Sequence, residues 1–237
     1  MHMTREQFDQ AHLSNRLVIT FVGMSNLGKT HWARNEFAKK LGFRYIGCDD
    51  RIEAILTPEL KAAGYGGGIA DVSRWMGQPY DERYAQHQQR YLEIEADVTR
   101  EALVEVQKTP GNTAIDTTGS VIHLDPSIGE ELKQKTLVVG IRATEDRKRE
   151  MYEKYIKELE PVCFGSVFTK LPDETNEQAL ARSYLKLLEV RSGLYEQLAD
   201  IMIPREEITE GMELSEFINL VHKHCELSEH EREFSRR

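Results

Sequence analysis

The sequence predicts an α/β fold in which a mostly parallel sheet is covered by helices on both faces. Short apolar runs rich in β-branched residues recur along the chain, and stretches with helical periodicity separate them. Because parallel strands need crossover connections, this alternation is typical of layered α/β proteins. The 237 residues are enough for one such domain with a substantial core.

Five segments are predicted to be strands. The first is the clearest, because it is apolar throughout and ends at Gly23, as a strand buried on both faces would. The second ends at Asp49 and Asp50, the third is followed by Asp116, and the last lies ahead of Pro204. In chain order, the predicted strands are residues 17–22, 43–48, 113–115, 137–141 and 201–203.

The intervals between the strands are predicted to be helical. Trp32 and Phe37 lie at helical spacing after the first strand, and Gly42 is placed to end that helix. Residues 64–68 are rich in glycine and are predicted to form a loop. The predicted helices cover residues 28–40, a stretch that begins at residue 50, and residues 79–108, 146–158, 176–198 and 214–224.

We expect a single domain over residues 1–227. Residues 228–237 are highly charged and almost without apolar side chains, which predicts a disordered tail. Trp32 and Trp75 fit helix faces and are expected in the core, whereas His222 is expected at the solvated surface.

Composition and charge limit the classes of partner. A net charge of -9 argues against duplex nucleic acid, which requires a basic face. The sequence has no apolar run of about eighteen residues that would span a membrane, and its first residues lack the apolar stretch of a secretory signal. Cys48, Cys163 and Cys225 are widely separated, which favours buried thiols in a reducing compartment. We therefore expect a cytoplasmic protein with neither a nucleic-acid nor a membrane partner.

One motif has a spacing that predicts its chemistry. Residues 23–30 have the pattern G-x-x-x-x-G-K-T between the first predicted strand and the first helix, which is the setting of a P-loop. Glycines let backbone N–H groups turn toward a phosphate, and the helix N-terminus adds partial positive charge. Lys29 then reaches the β- and γ-phosphates, and the Thr30 hydroxyl ligates Mg²⁺. The predicted nucleotide-binding residues are Gly23, Ser25, Asn26, Leu27, Gly28, Lys29 and Thr30.

A P-loop alone leaves the reaction open, because GTPase switches, motors and kinases all contain one. The base-reading Asn/Thr-Lys-x-Asp segment of GTPase-like switches does not occur in the sequence. The reaction must therefore be judged from the ends of the other strands, where open α/β sheets gather their ligands.

Carboxylates follow the second and third predicted strands. Asp49 can face the γ-phosphate and accept or orient an attacking hydroxyl, while Asp50 is assigned to capping the next helix. Asp116 ends an apolar strand in the Walker B manner, which predicts a Mg²⁺ ligand through water; the alternative is a hydrogen-bonded turn without a ligand. The predicted catalytic residues are Lys29, Asp49 and Asp116, and the predicted metal residues are Thr30 and Asp116.

Further segments, together with the P-loop, resemble shikimate kinase and its relatives among the P-loop small-molecule kinases. The resemblance covers about residues 16–205, and its most specific part outside the P-loop is R-x-x-L-Y-x-x-x-A-D at residues 191–200. The other matching segments are Asp49-x-x-Ile52-Glu53, Ala70-Asp71-Val72 leading to Gly77, Tyr91-x-x-x-Glu95 and Thr118-Gly119-Ser120.

The resemblance implies a three-layer α/β/α P-loop NTPase fold with a five-stranded parallel sheet of order 2-3-1-4-5. It also implies ATP and Mg²⁺ as cofactors, and a helical lid at about residues 155–175. Asp49 would bind a substrate hydroxyl and Arg191 a substrate carboxylate. The substrate-binding residues inferred on this basis are Asp49, Glu95, Thr117, Thr118, Gly119 and Arg191.

The sequence departs from the family pattern mainly at the substrate site. Gly47 stands where the family has the first Asp of an Asp-x-Asp pair, and a substrate-binding Arg that precedes the matched Glu95 is absent. The glycine-rich substrate loop has become Thr117-Thr118-Gly119. No Arg lies between Arg149 and Arg182 in the lid region, which offers Lys154, Lys157 and Lys170 instead.

These departures predict a different acceptor. Losing a guanidinium removes a bidentate clamp for a carboxylate, and added hydroxyls suit a hydroxylated ligand better. We therefore expect a Mg-ATP-dependent kinase that phosphorylates a hydroxylated small molecule other than shikimate. A nucleoside or nucleotide kinase, and a non-catalytic ATP-binding regulator, are the alternatives that the sequence leaves open.

Overall fold

The computed structural model describes residues 3–158 and 162–235, with the backbone alone from residue 228 onward. Within these described residues, a single sheet contains five strands, all parallel, in the order β2-β3-β1-β4-β5. The α/β class and this strand order are therefore confirmed. The strands are β1 (Val18–Val22), β2 (Arg44–Gly47), β3 (Thr113–Asp116), β4 (Leu137–Arg142) and β5 (Ile201–Pro204).

Helices cover both faces of the sheet. They are α1 (Arg5–Leu13), α2 (a π-helical segment His31–Ala38 continued by Lys39–Leu41), α3 (Cys48–Ala62), α4 (Ile69–Met76), α5 (Tyr84–Lys108), α6 (Pro126–Lys135), α7 (Glu145–Lys157), α8 (Asn176–Leu198) and α9 (Leu214–Ser235). In the part of the chain that the structure describes, no helix combines the length and apolar character needed to cross a membrane.

The register of the central strands places the predicted site residues at one edge of the sheet. Phe21 of β1 pairs with Asp116 of β3, and Asp116 also pairs with Gly47 of β2. The carboxyl ends of β1, β2 and β3 therefore meet, because parallel strands end on the same side. The strands themselves are core: Ile19, Phe21 and their apolar neighbours are fully buried.

The helix after β2 begins earlier than the sequence predicts. α3 starts at Cys48, with extended Gly47 as its N-cap and without a side-chain cap. The assignment of Asp50 as the cap is therefore wrong. Asp49 and Asp50 lie in the first helical turn, where a negative charge is favoured by the helix dipole, and Asp50 forms an ion pair with Arg34.

Among the described residues, three helices lie outside the ranges given for the predicted helices: α1, α4 and α6. Two of them have capping signals that are visible in the sequence. Thr4 and Gln7 form a reciprocal capping box at the start of α1, and Asp125 caps α6 ahead of Pro126. Both helices are short, at 9 residues for α1 and 10 residues for α6.

The two chain segments that the sequence sets apart are described only in part. α9 continues to Ser235, so its backbone is helical into the segment 228–237 that the sequence predicts to be disordered, and residues 236–237 lie outside the described residues. Of the predicted lid, residues 159–161 lie outside the described residues. Phe164, just beyond them, is fully buried.

Candidate active site

The predicted P-loop wraps around the carboxyl end of β1. Gly23 and Gly28 have φ values of 144° and 99°, and a Cβ added to Gly23 would lie 2.9 Å from the carbonyl oxygen of Ile141. Only glycine fits at this position without strain. Lys29 is buried, and its Nζ donates to the carbonyl oxygen of Met24 at 3.1 Å, which folds the loop back on itself.

The loop forms one wall of a cavity of about 220 Å³ at the carboxyl edge of the sheet. The cavity brings together seven of the residues predicted to form the site, from the P-loop, α3, the loop after β3, and α8. These seven residues are Ser25, Asn26, Lys29, Thr30, Asp49, Gly119 and Arg191. The remaining lining residues are Ile69, Tyr91 and Ser120.

Two carboxylates, those of Asp116 and Asp49, lie near enough to Lys29 to act on its pKa. Burial lowers the pKa of Lys29, while Asp116 and then Asp49 raise it. The pKa of Asp49 is raised by desolvation and lowered by Lys29. Asp49 is exposed and lines the cavity. The carboxylates of Asp116 and Asp49 therefore stabilise the Lys29 cation at the end of the P-loop.

Asp116 is not among the residues that line the cavity. Its side chain is buried, and its Oδ2 accepts a hydrogen bond from the Tyr45 hydroxyl at 3.1 Å. Its Oδ1 is buried without a hydrogen-bond partner among the described residues. A buried carboxylate oxygen without a partner is costly, and a bound cation or an ordered water would relieve that cost.

Three of the predicted substrate-binding residues do not line the cavity. The Thr117 hydroxyl donates to the carbonyl oxygen of Phe21 at 2.8 Å, and the Thr118 hydroxyl donates to Glu95. Glu95 is fully buried and also accepts from Ser120 Oγ at 2.6 Å. These side chains are therefore turned inward to hold the loop, because buried hydroxyls and carboxylates bond to each other.

Arg191 joins the cavity to the lid region. It is buried, and its Nη2 donates to the carbonyl oxygen of Cys163 at 3.0 Å, while its Nε has no hydrogen-bond partner among the described residues. One turn further along α8, the Tyr195 hydroxyl donates to the carbonyl oxygen of Gly119 at 2.6 Å. The two side chains thus fix the lid segment and the loop after β3 to the same helix.

The lid lysines have different positions. Lys154 lines a small hollow next to the cavity, together with Tyr155, Tyr184 and Arg191. Lys157 is exposed, and Lys170 donates to the side chain of Asn176 at 2.7 Å on the exposed surface. Of the three, only Lys154 borders the site.

Sequence reasoning missed Tyr91, Ile69 and Ser120 as wall residues. Tyr91 belongs to a segment that was matched to the family pattern through Glu95, and the α-helical spacing places both residues on the inner face of α5. Ile69 follows the glycine-rich loop and starts α4. No motif marks Ile69, so its place follows from the fold alone.

The oxygen donors near Lys29 fit a magnesium ion. Among the described residues, no group of three or more His, Cys, Asp or Glu side chains forms a dedicated metal cage. Mg²⁺ bound with a nucleotide usually takes one or two protein oxygens and completes its shell with phosphates and water. The Thr30 hydroxyl and the unpartnered Oδ1 of Asp116 supply oxygens of this kind.

A second hollow, of about 430 Å³, lies on the other side of the P-loop. It extends from Gly28 and Trp32 at the start of α2 to Arg205 and residues 208–213 after β5. Asn26 lines both hollows. A larger depression, of about 490 Å³, lies on the surface of α5 and contains none of the predicted site residues.

No protein-family profile matches the chain, and no curated protein matches it either. Solved structures do match it. A shikimate kinase from Bacteroides thetaiotaomicron is 17% identical and covers 89% of this chain and 98% of its own, with a TM-score of 0.55. A shikimate kinase from Acinetobacter baumannii in complex with shikimate is 18% identical and covers 87% of this chain and 90% of its own, with a TM-score of 0.51. The chain therefore has the shikimate kinase-like P-loop fold.

Proposed function

We propose that this chain is a Mg-ATP-dependent kinase that transfers the γ-phosphoryl group of ATP to a hydroxyl of a small metabolite other than shikimate. One observation carries the proposal: Lys29 and Thr30 of the P-loop line the same cavity as Asp49 and Arg191. A phosphate donor and a hydroxyl acceptor can therefore lie side by side. The fold shared with shikimate kinases agrees with this reading.

The phosphate side of the cavity would hold the nucleotide. The backbone N–H groups of the P-loop and the Lys29 ammonium would bind the β- and γ-phosphates. Thr30 and Asp116 would hold Mg²⁺, which supplies positive charge that neutralises the phosphates. The hollow beyond Gly28 and Trp32 would take the nucleoside, because it continues from the phosphate loop on the side away from Asp49.

The opposite side of the cavity would hold the acceptor. Asp49 would orient the acceptor hydroxyl and take its proton, as a carboxylate within reach of Lys29 can. The acceptor oxygen forms a bond to the γ-phosphorus, the bond from that phosphorus to the β–γ bridging oxygen breaks, and ADP leaves. Arg191 would donate hydrogen bonds to an oxygen of the acceptor through the donors that Cys163 does not use.

The walls of the cavity limit the acceptor to a small polar molecule. Ile69 and Tyr91 add apolar contact. Ser120 offers the acceptor little further hydrogen bonding, because its hydroxyl already donates to Glu95. The one guanidinium among the lining residues, that of Arg191, bonds a backbone carbonyl. A compound with several hydroxyls suits this wall better than a strongly anionic one.

The test is ATP consumption by the purified protein with and without a pool of small metabolites. We expect acceptor-dependent turnover that Asp49→Asn abolishes while ATP binding is retained. Asp97→Asn, which changes an exposed carboxylate on α5, is the matched control and should leave turnover unchanged. Tight ATP binding without acceptor-dependent turnover would indicate the non-catalytic regulator instead. Phosphorylation of shikimate at ordinary kinase rates would overturn the assignment of the acceptor.

A further inference from the structure

At the end of β2, the Tyr45 hydroxyl lies beside Gly47. Tyr45 and Gly47 lie on the same face of the strand, because side chains alternate along it. A Cβ added to Gly47 would lie 2.5 Å from the Tyr45 hydroxyl oxygen and 2.6 Å from Asp50 Oδ2. Distances this short leave no room for a side chain. The Tyr45 hydroxyl therefore occupies the space that a residue larger than glycine at position 47 would fill.

From that place the Tyr45 hydroxyl reaches the neighbouring strand. It donates to Asp116 Oδ2 at 3.1 Å, and Gly47 pairs with Asp116 in the sheet. The hydrogen bond leaves Asp116 Oδ1 as the buried oxygen without a partner among the described residues. Asp116 contributes more than Asp49 to raising the pKa of Lys29. The carboxylate that Tyr45 holds is therefore in the electrostatic reach of the phosphate-binding lysine.

Arg34 holds the Tyr45 ring in place from the solvent side. The Arg34 guanidinium lies 4.5 Å from the ring centroid, and Arg34 forms an ion pair with Asp50. Arg34, Tyr45 and Asp116 thus form a chain of contacts from the surface to the site.

We propose that Tyr45 is a positioning residue that orients the Asp116 carboxylate toward the magnesium–nucleotide complex, in the space left by glycine at position 47. This inference rests on the proposed function, since it concerns the metal of the nucleotide site. It does not depend on which acceptor is phosphorylated. Tyr45 acts through Asp116 and contacts neither substrate nor nucleotide in this assignment.

The experiment is calorimetric titration of Mg²⁺ into protein saturated with a non-hydrolysable ATP analogue. Tyr45→Phe removes the hydroxyl and keeps the ring beneath Arg34. We expect Mg²⁺ affinity to fall by about tenfold, the effect of losing one hydrogen bond to a charged group, with metal-free affinity for the analogue unchanged. Gly47→Ala, which adds a Cβ at the Tyr45 hydroxyl, should weaken Mg²⁺ in the same way. Tyr80→Phe, at a partly exposed ring, is the matched control and should change nothing.

The outcomes separate this inference from the proposed function. Unchanged Mg²⁺ affinity in both Tyr45→Phe and Gly47→Ala, with normal Mg²⁺ binding by the wild type, would overturn the role of Tyr45 alone. An equal loss of metal-free analogue affinity would also overturn it, because that result indicates general distortion of the loop. A wild-type protein that binds no Mg²⁺ with the analogue would overturn both proposals together.

Discussion

Glu95 accepts a hydrogen bond from Ser120 Oγ at 2.6 Å at a position with no exposed surface. Its other carboxylate oxygen accepts from Thr118, so α5 holds the loop after β3 through one side chain. Burial raises the pKa of Glu95 to about 7, against the opposing effect of these two hydrogen bonds. Asp49 raises this pKa further, and Arg191 lowers it.

This raised pKa predicts a pH-dependent stability. The folded protein keeps a proton on Glu95 at pH values where the unfolded chain, with an ordinary pKa of 4.5, has released it. The contribution is therefore complete below pH 4.5 and is lost as pH rises to about 7. It amounts to about 3 kcal/mol of unfolding free energy. Glu95→Gln should reduce the change of unfolding free energy with pH, as measured by urea unfolding between pH 5 and 8.

The matched control is Glu101→Gln, which changes an exposed carboxylate on the same helix. It should keep the wild-type slope of unfolding free energy against pH. If Glu95→Gln and the wild type had the same slope, the titration of Glu95 could not be the source of the pH dependence.

The interaction of Lys29 with Asp49 predicts how the pKa of Asp49 changes when Lys29 is replaced. Desolvation raises the pKa of Asp49 above its ordinary value of 3.8, and Lys29 opposes that rise. Lys29→Met should therefore raise the Asp49 pKa further, because the cation that favours the carboxylate is removed. Side-chain carboxyl ¹³C NMR titration checks this, with the Asp49 resonance assigned from Asp49→Asn. Lys39→Met, an exposed change on α2, is the control. A downward shift in Lys29→Met would contradict the prediction.

The hydrogen bonds of the Tyr84 hydroxyl predict how firmly residues 162–168 are held. It donates to the carbonyl oxygen of Val162 at 2.7 Å and accepts from the Phe164 N–H at 2.9 Å. Tyr84→Phe leaves that buried N–H without its acceptor, which costs about 1–3 kcal/mol. We expect amide hydrogen exchange in residues 162–168 to rise by about 5- to 150-fold, while the amides of β1 and β4 stay protected.

The control for this change is again Tyr80→Phe, because the Tyr80 ring is more than one-third exposed, at 37%. Removing that hydroxyl should leave exchange in residues 162–168 at the wild-type rate. Equal exchange in Tyr84→Phe and the wild type would show that other contacts, such as the bond from Gly165 N–H to Gln88 at 3.0 Å, hold the segment alone.

The fold could be predicted where local signals agree with tertiary packing. α8 runs from Asn176 to Leu198 as expected, and Thr175 with Gln178 forms a capping box at its start. α1 was missed because it depends on a distant contact: Phe8 packs edge-on against the His222 ring, with ring centroids 4.9 Å apart. For the same reason His222 is buried rather than exposed, and that prediction was wrong. Trp32 and Trp75 are buried as predicted.

The sequence could indicate which residues of the P-loop, the strand ends and α8 line the cavity. Lys29, Asp49 and Arg191 all reach the cavity, as their positions after β1, after β2 and on α8 indicate. The direction of a hydroxyl could not be predicted. Thr117 and Thr118 turn inward because acceptors lie there, and those acceptors come from segments far away in the chain.

The packing of α9 predicts where the domain can be shortened. Phe217 is fully buried and stacks on Trp32 of α2 at 3.8 Å between ring centroids, and Val221 and Cys225 are also fully buried. Leu227 is 47% exposed.

Because a buried apolar side chain contributes about 1.5–3 kcal/mol and an exposed one little, a chain that ends at Leu227 should have a melting temperature within about 2 °C of the wild type. A chain that ends at Leu220, without Val221 and Cys225, should melt lower by at least about 5 °C. Thermal unfolding of both checks this, and an equal loss in the two would place the domain boundary beyond residue 227.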